Sequence, residues 1–252
     1  MSSRRKFIQT SAIALSASSL LPFSGAANTI QHKSMLKKEF LQTGMAGYSF
    51  VNYNIDQTIA IMNRAGINNL SVKDFHLPLN SSQQTIDEVM GKFKKGGIQV
   101  YTVGVIYMKT EAEVDRAFDY AKRVGVNLII GVPGYDLLTY TEKKVKEYNI
   151  RIAIHNHGPE DKLYPGPKDV YNRISGMDKR VGLCLDIGHA FRAGVMPDKA
   201  VTDYAPRIFD LHIKDVTAAK AEGKAIEAGR GAIDFPALIA ALRKIKYAGV
   251  CS

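Results

Sequence analysis

Two cysteines, no tryptophan and nine prolines are spread over 252 residues. Two thiols do not make a disulfide framework, which excludes a stapled secreted miniprotein. Apolar residues make up 46% and charged ones 23%, which excludes a disordered or collagen-like chain. Acids are in short supply: 24 Asp and Glu against 34 Lys and Arg give a formal charge of +10. That excess is not gathered into a stripe, because no basic block past the N-terminus exceeds a few residues. Nucleic acid is therefore not an expected partner. No Gly-x-Gly-x-x-Gly follows a candidate strand, so a dinucleotide-binding fold lacks support. Long apolar runs are missing too. The stretch Ala12 to Leu21 falls short of the ~20 residues that cross a bilayer.

That stretch has a context of its own. Ser3-Arg4-Arg5-Lys6-Phe7 precedes it, and Pro22 and Ser24-Gly25-Ala26-Ala27 follow it. A basic start, a short apolar centre and a small-residue end read as a signal peptide. The paired arginines before Lys-Phe-Ile resemble a twin-arginine export signal. The expected organisation is a signal peptide over 1–27, a linker over 28–41 and one domain over 42–252. The expected product is periplasmic or otherwise exported, with no stable membrane anchor, and a homo-oligomer is left open.

A phrase then recurs: a helical stretch, a basic residue near a glycine, and an apolar strand. It occurs at Arg64-Ala65-Gly66-Ile67, Lys95-Gly96-Gly97-Ile98, Arg123-Val124-Gly125-Val126 and Lys246-Tyr247-Ala248-Gly249-Val250, with Asn149 in the glycine role before Ile150. Glycine or asparagine past a helix end is the left-handed cap. The period, roughly 25 to 30 residues, is that of a βα unit. Candidate strands are 45–50, 67–73, 98–104, 126–132, 150–155, 181–186, 207–213 and 247–252. Their Val, Ile and Leu content suits strands covered on both faces. Eight strands alternating with amphipathic helices predict a (β/α)8 TIM barrel, with a doubly wound sheet as the alternative that periodicity leaves open. The eighth strand breaks off at Ser252, so the barrel is expected to be truncated there.

Five histidines, His76, His155, His157, His189 and His212, fall at or just past the C-terminal ends of candidate strands, the active-site face of a barrel. Side chains alternate along a strand. If His155 points inward, so does His157; if His212 points inward, so does Lys214. His155, Asp186 and His212 then come from three successive strands, and two imidazoles with a carboxylate suit a divalent metal such as Mn, Co, Zn or Fe. A buried His–Asp hydrogen-bond network is the structural alternative. His155, His189 and Lys214 are the candidate catalytic groups, with Lys214 able to steady an oxyanion or pair with Asp215. Asp74, His76, His157 and Glu160 are the candidate substrate contacts. Cys184 points inward and Cys251 outward, and the two are not expected to pair.

Asp186-x-x-His189, His212-Ile213-Lys214-Asp215 and Asp234-Phe235 after Gly229-Arg230-Gly231 resemble the xylose-isomerase-like barrel superfamily, the sugar phosphate isomerases and epimerases, over about residues 42–252. The resemblance implies a divalent metal held by an acid on strand 5, the strand-6 aspartate, the strand-7 histidine and a strand-8 glutamate. Here that means Asp186 and His212, with the strand-8 acid beyond Ser252. His189 matches a substrate-contacting histidine. The usual strand-5 motif is Glu-Asn-His, and this chain has His155-Asn156-His157, so a histidine stands where the family has a glutamate. The implied activity is a sugar isomerase or epimerase working through an enediolate on a small carbohydrate. The alternatives are a keto-glycoside lyase or hydrolase with the same metal site, or a non-catalytic sugar-binding barrel.

Overall fold

The computed structural model describes residues 41–252, so the export segment, the linker up to residue 40 and His32 lie outside the described residues. The strands are β1 (Gln42–Ala46), β2 (Asn69–Val72), β3 (Gln99–Met108), β4 (Leu128–Pro133), β5 (Arg151–His155), β6 (Val181–Asp186), β7 (Ile208–His212), β8 (Asp215–Val216), β9 (Ala225–Ile226) and β10 (Val250–Cys251). Eight of them close a barrel in the order β1-β10-β7-β6-β5-β4-β3-β2, with every neighbouring pair parallel. This is the TIM barrel that the alternation predicts, and closure leaves no room for a doubly wound sheet. The last strand, β10, pairs on one side with β1 and on the other with β7.

The helices are α1 (Ile55–Ala65), α2 (Gln83–Lys95), α3 (Glu111–Val124), α4 (Leu138–Tyr148), α5 (Pro167–Ile174), α6 (Ile187–Arg192), α7 (Pro197–Asp203) and α8 (Phe235–Lys244). Local chemistry marks their ends. Asn54 accepts from the Gln57 amide at 2.9 Å, and the Gln57 side chain accepts from the Asn54 amide at 3.0 Å, a capping box that starts α1. The helix stops where Gly66 takes φ 68°. After α4 the same left-handed turn falls on Asn149, with φ 54°. After α8 it falls on Lys246, also at φ 54°, and not on Gly249. Gly249 instead lies so close to the Tyr247 ring that no Cβ would fit.

Alternation divides the sheet residues between two cores. Ile129, Ile152 and Leu183 are fully buried on the outside, against the helices. Each such aliphatic side chain contributes roughly 1.5–3 kcal/mol by burial. Leu128, Ile130, Ala153 and Cys184 form the separate cluster inside the barrel. Arg207 packs almost wholly inside and donates to the carbonyls of Ser175, Met177, Asp178 and Val181, pinning the approach to β6.

Three departures bear on the site. The first strand is 42–46, not 45–50, because the chain leaves the sheet at Gly47 for a short 3-10 turn over Gly47–Phe50. β6 passes straight into α6, so His189 sits in the first turn of a helix and not in a loop. Between the seventh and eighth barrel strands lies an antiparallel pair, β8 with β9, which periodicity could not show because each strand has only two residues. No helix among the described residues is long and apolar enough to cross a membrane.

Candidate active site

A cavity of about 600 Å³ opens at the C-terminal ends of the barrel strands. Its floor is set by register. Asp186 ends β6 directly opposite His212 of β7, and His155 ends β5 opposite Cys184. His155 Nε2 lies 2.9 Å from His212 Nδ1 and 3.6 Å from Asp186 Oδ2. The rings of His155 and His157 stand 4.4 Å apart, and the His189 ring lies 6.1 Å from each of them. Four of the five strand-end histidines therefore gather at one place.

Asp186 organises this group. Its Oδ1 accepts from the His189 amide at 2.8 Å, capping α6 and setting the direction of the His189 side chain. Its Oδ2 accepts from Lys214 Nζ at 3.0 Å. Lys214 also donates to His189 Nε2 at 2.9 Å, which leaves that ring's proton on Nδ1. Asp215 does not pair with Lys214. It accepts instead from the amides of Val216, Gly229, Gly231 and Ile233, and so holds the loop that includes Gly229-Arg230-Gly231. Lys214 is thereby left to the cavity.

Electrostatics keep the imidazoles neutral. Burial, reinforced by His212 and His157 and opposed by Asp186, pushes His155 down to about 3. Burial pushes His212 and His189 down to about 4 in the same way, against the pull of Asp186. Burial alone would raise the Asp186 carboxyl, but His155, Lys214 and His189 together hold it well below the usual carboxylate range. Neutral imidazoles beside an ionised carboxylate are the protonation states that a divalent cation needs from its ligands. His155 Nδ1, His157 Nδ1, His189 Nδ1 and His212 Nε2 are buried without hydrogen-bond partners. The donor set of His155, Asp186 and His212 thus fits a metal in chemistry, with His155 Nε2 2.9 Å from His212 Nδ1 and 3.6 Å from Asp186 Oδ2.

Other predicted contacts are placed unevenly. His157 lines the cavity, and its Nε2 meets the Tyr107 hydroxyl at 2.8 Å. His76 does not reach the cavity. The turn after β2, where Lys73 O accepts from the amides of His76 and Leu77, carries it away. Its ring donates to Tyr53 O at 2.8 Å on the outer side. Asp74 stays exposed beside Lys73 and is absent from the cavity wall; Lys73 takes that place, donating to Val105 O at 2.7 Å. Glu160 stands off the wall in an ion pair with Arg192.

Sequence reasoning missed three contributors. Tyr107 and Tyr48 line the mouth, with 52% and 70% of their surface exposed. Both are large hydrophobic side chains left open at strand ends, a signal visible only once the ends are known. Asn156 lies between the two histidines of β5 and is fully buried. Its side chain accepts from the Asp186 amide at 3.0 Å and donates to the Asp186 carbonyl at 3.1 Å, locking β5 to β6 at the site.

Residues 59–252 match the family model described as xylose isomerase-like TIM barrel. The rhizopine catabolism protein MocC of Rhizobium meliloti is 28% identical over 127 residues, covering 44% of this chain and 38% of that protein. The match thus spans well under half the length of that relative. The structure of IolI, a protein with a bound zinc atom, superposes with a TM-score of 0.71 at 18% identity, covering 84% of this chain and 88% of the other. The 3-keto-D-glucoside 4-epimerase YcjR of E. coli, in its apo form, superposes with a TM-score of 0.68 at 17% identity, covering 84% and 92%. At these identities both share the fold with this chain.

Proposed function

The chain belongs to the xylose isomerase-like TIM barrel family, and from that membership we propose an exported, metal-dependent enzyme of the sugar isomerase/epimerase type. Its substrate is a sugar or keto-sugar, and its chemistry runs through an enediolate. One observation carries the reading: His155, Asp186 and His212, from three successive strands, converge beneath an open cavity whose wall also holds His189 and Lys214. Export rests on Arg4-Arg5, the apolar stretch Ala12 to Leu21 and the small-residue end near Ala27.

His155, Asp186 and His212 would hold the cation. A divalent metal held there (Mn, Co, Zn or Fe) would supply Lewis acidity for polarising substrate oxygens and easing loss of the neighbouring carbon-bound proton. The chain's own groups do the rest. His189, neutral and open to the cavity, can accept a proton once its ring is released from Lys214. The Lys214 ammonium faces the place where negative charge develops on a substrate oxygen. His157, oriented by Tyr107, stands ready to bind a hydroxyl. Tyr48 and Tyr107 give the sugar an apolar face to lie against.

A second reading has its own support. His155 stands where the family has its strand-5 glutamate, and the carboxylates on the cavity wall, Asp186 and Asp215, are engaged. The bases on offer are imidazoles grouped on the β5–β6 side. Epimerisation with a base on each face of the substrate is harder to build from that arrangement than a one-base elimination. A keto-glycoside lyase or hydrolase is the corresponding activity. Metal analysis of the full chain, followed by product analysis with free ketoses and 3-keto-glycosides, tests both. A stereoisomer or aldose–ketose pair supports the first reading, and cleavage of the glycosidic bond supports the second. Absence of both products, with metal bound, overturns the enzymatic reading.

A further inference from the structure

Beneath the histidines the barrel interior carries a donor that the proposed site does not use. Cys184 lies two residues before Asp186 on β6, so it faces the same interior one layer deeper. Register sets its neighbours: it stands opposite His155 on one side and Asp210 on the other. Its Sγ and one ring nitrogen from each of His155 and His212 all lie within 4.8 Å of one another. The residue is fully buried, and its polar contact is a long approach to Asp210 Oδ2 at 3.8 Å. His155, with 5% of its side chain exposed, leaves Nδ1 without a hydrogen bond, and His212 leaves Nε2 without one, 3.7 Å from Asp210 Oδ2.

We propose that Cys184 is a metal ligand whose thiolate closes the cation site from below, forming with His155 and His212 a set of two imidazoles and one sulfur. This rests on the metal-dependent reading of the site. Burial beside Asp210 and Asp186 holds the thiol up, so ligation must break the S–H bond as the sulfur–metal bond forms, its proton passing to the Asp210 carboxylate 3.8 Å from Sγ, with no change of oxidation state. Ligand atoms about one tetrahedral cation sit roughly 3–4 Å apart, so the three side chains need to contract by only about 1 Å. Sulfur and imidazole favour zinc or cobalt over manganese or magnesium, so the site selects a borderline-soft cation. The alternative is that Cys184 merely fills space beside Leu128, Ile130 and Ala153.

The test is optical. Full-chain protein stripped with a chelator is titrated with Co(II) and followed by absorption spectroscopy. The expected result is one equivalent bound, with a sulfur-to-cobalt charge-transfer band in the near ultraviolet. Cys184→Ser removes the band but still binds cobalt, and weakens zinc at least about tenfold while manganese is unchanged. Cys251→Ser keeps the band, because Cys251 packs on the outer face of the barrel. One equivalent of cobalt without the band, or a band that survives Cys184→Ser, overturns the role of Cys184 and leaves the metal site standing. Failure of the wild type to bind cobalt or zinc overturns the metal site itself. Should Cys184→Ser fail to fold, Cys184→Ala serves in its place, and the wild-type spectrum decides alone if neither folds.

Discussion

Lys214 Nζ lies 3.0 Å from Asp186 Oδ2 and 2.9 Å from His189 Nε2, so one ammonium joins a buried carboxylate to the imidazole of the same helix turn. It supplies positive charge at the point where the cavity meets the floor. It also keeps His189 neutral, since burial and the Lys214 charge both disfavour the imidazolium. Lys214→Met is expected to lower kcat at least about 100-fold while metal content stays at the wild-type level. The His189 pKa should rise in the variant, because a lowering charge is gone. Nuclear magnetic resonance titration of the ring nitrogens measures that shift, and an unchanged His189 with unchanged kcat contradicts the role.

Asp186 and His212 face each other across β6 and β7 and are both proposed ligands. Asp186→Ala or His212→Ala is expected to abolish metal binding without unfolding the barrel. The Asp186 variant also loses the α6 cap, at a cost of roughly 0.5–2 kcal/mol. Elemental analysis and circular dichroism read the two effects separately. Metal retained at wild-type stoichiometry in both variants refutes the ligand assignment.

Stability of the metal-free protein should fall as pH falls. Folding holds His155 near 3 and both His189 and His212 near 4, below the ~6.5 of an unfolded histidine. Between about 6.5 and about 4 the unfolded chain binds protons that the folded chain refuses, so stability is present above that window and lost through it. Each histidine adds a slope of up to about 1.4 kcal/mol per pH unit. Asp186, whose carboxyl folding lowers, loses its contribution only further down, below the ~3.8 of an unfolded aspartate. Urea midpoints of the chelator-treated protein across the window check this, and His155→Asn should make the slope shallower. A midpoint that does not move from about pH 7 to about pH 4.5 rules the account out.

Arg207 bonds four carbonyls around the approach to β6, far from the substrate cavity. Arg207→Ala is expected to cost about 2–4 kcal/mol of stability, through carbonyls left without their charged donor. Cobalt stoichiometry should not change. Urea denaturation and metal titration on the same preparation measure both, and a loss of stability under about 0.5 kcal/mol would show the cluster to be incidental.

Export depends on Arg4 and Arg5 in the twin-arginine reading. Replacing both with lysine should leave an uncleaved precursor in the cytoplasm of a host that carries the twin-arginine pathway. Cell fractionation with antibody detection follows it. A periplasmic, shortened product from the double variant rejects that route.

Much of the barrel is legible in the sequence. Gly66, Gly125 and Asn149 end helices where the recurring phrase places them, because a left-handed turn strongly prefers those residues. Strands buried on both faces announce themselves by continuous Val, Ile and Leu, as in Leu128-Ile129-Ile130. The first strand was displaced because Met45 to Phe50 has strand-like composition while the chain turns out of the sheet at Gly47. His76 misled for a related reason: its place just past a strand is shared with the site histidines, but a turn at Lys73 points it outward.

The sequence by itself determined the eightfold alternation, the shared parity of His155 with His157 and of His212 with Lys214, and the helix ends at Gly66, Gly125 and Asn149. These follow from local backbone geometry and from the period of two along a strand. Only the tertiary structure decided what those side chains meet. That Lys214 turns to Asp186 while Asp215 collects four amides depends on a loop brought back from residues 229–233. That Cys184 stands opposite His155, and Asp186 opposite His212, depends on strand register around a closed barrel. Register is set by the packing of the whole barrel, so a short motif can say which way a side chain points but not which one it faces.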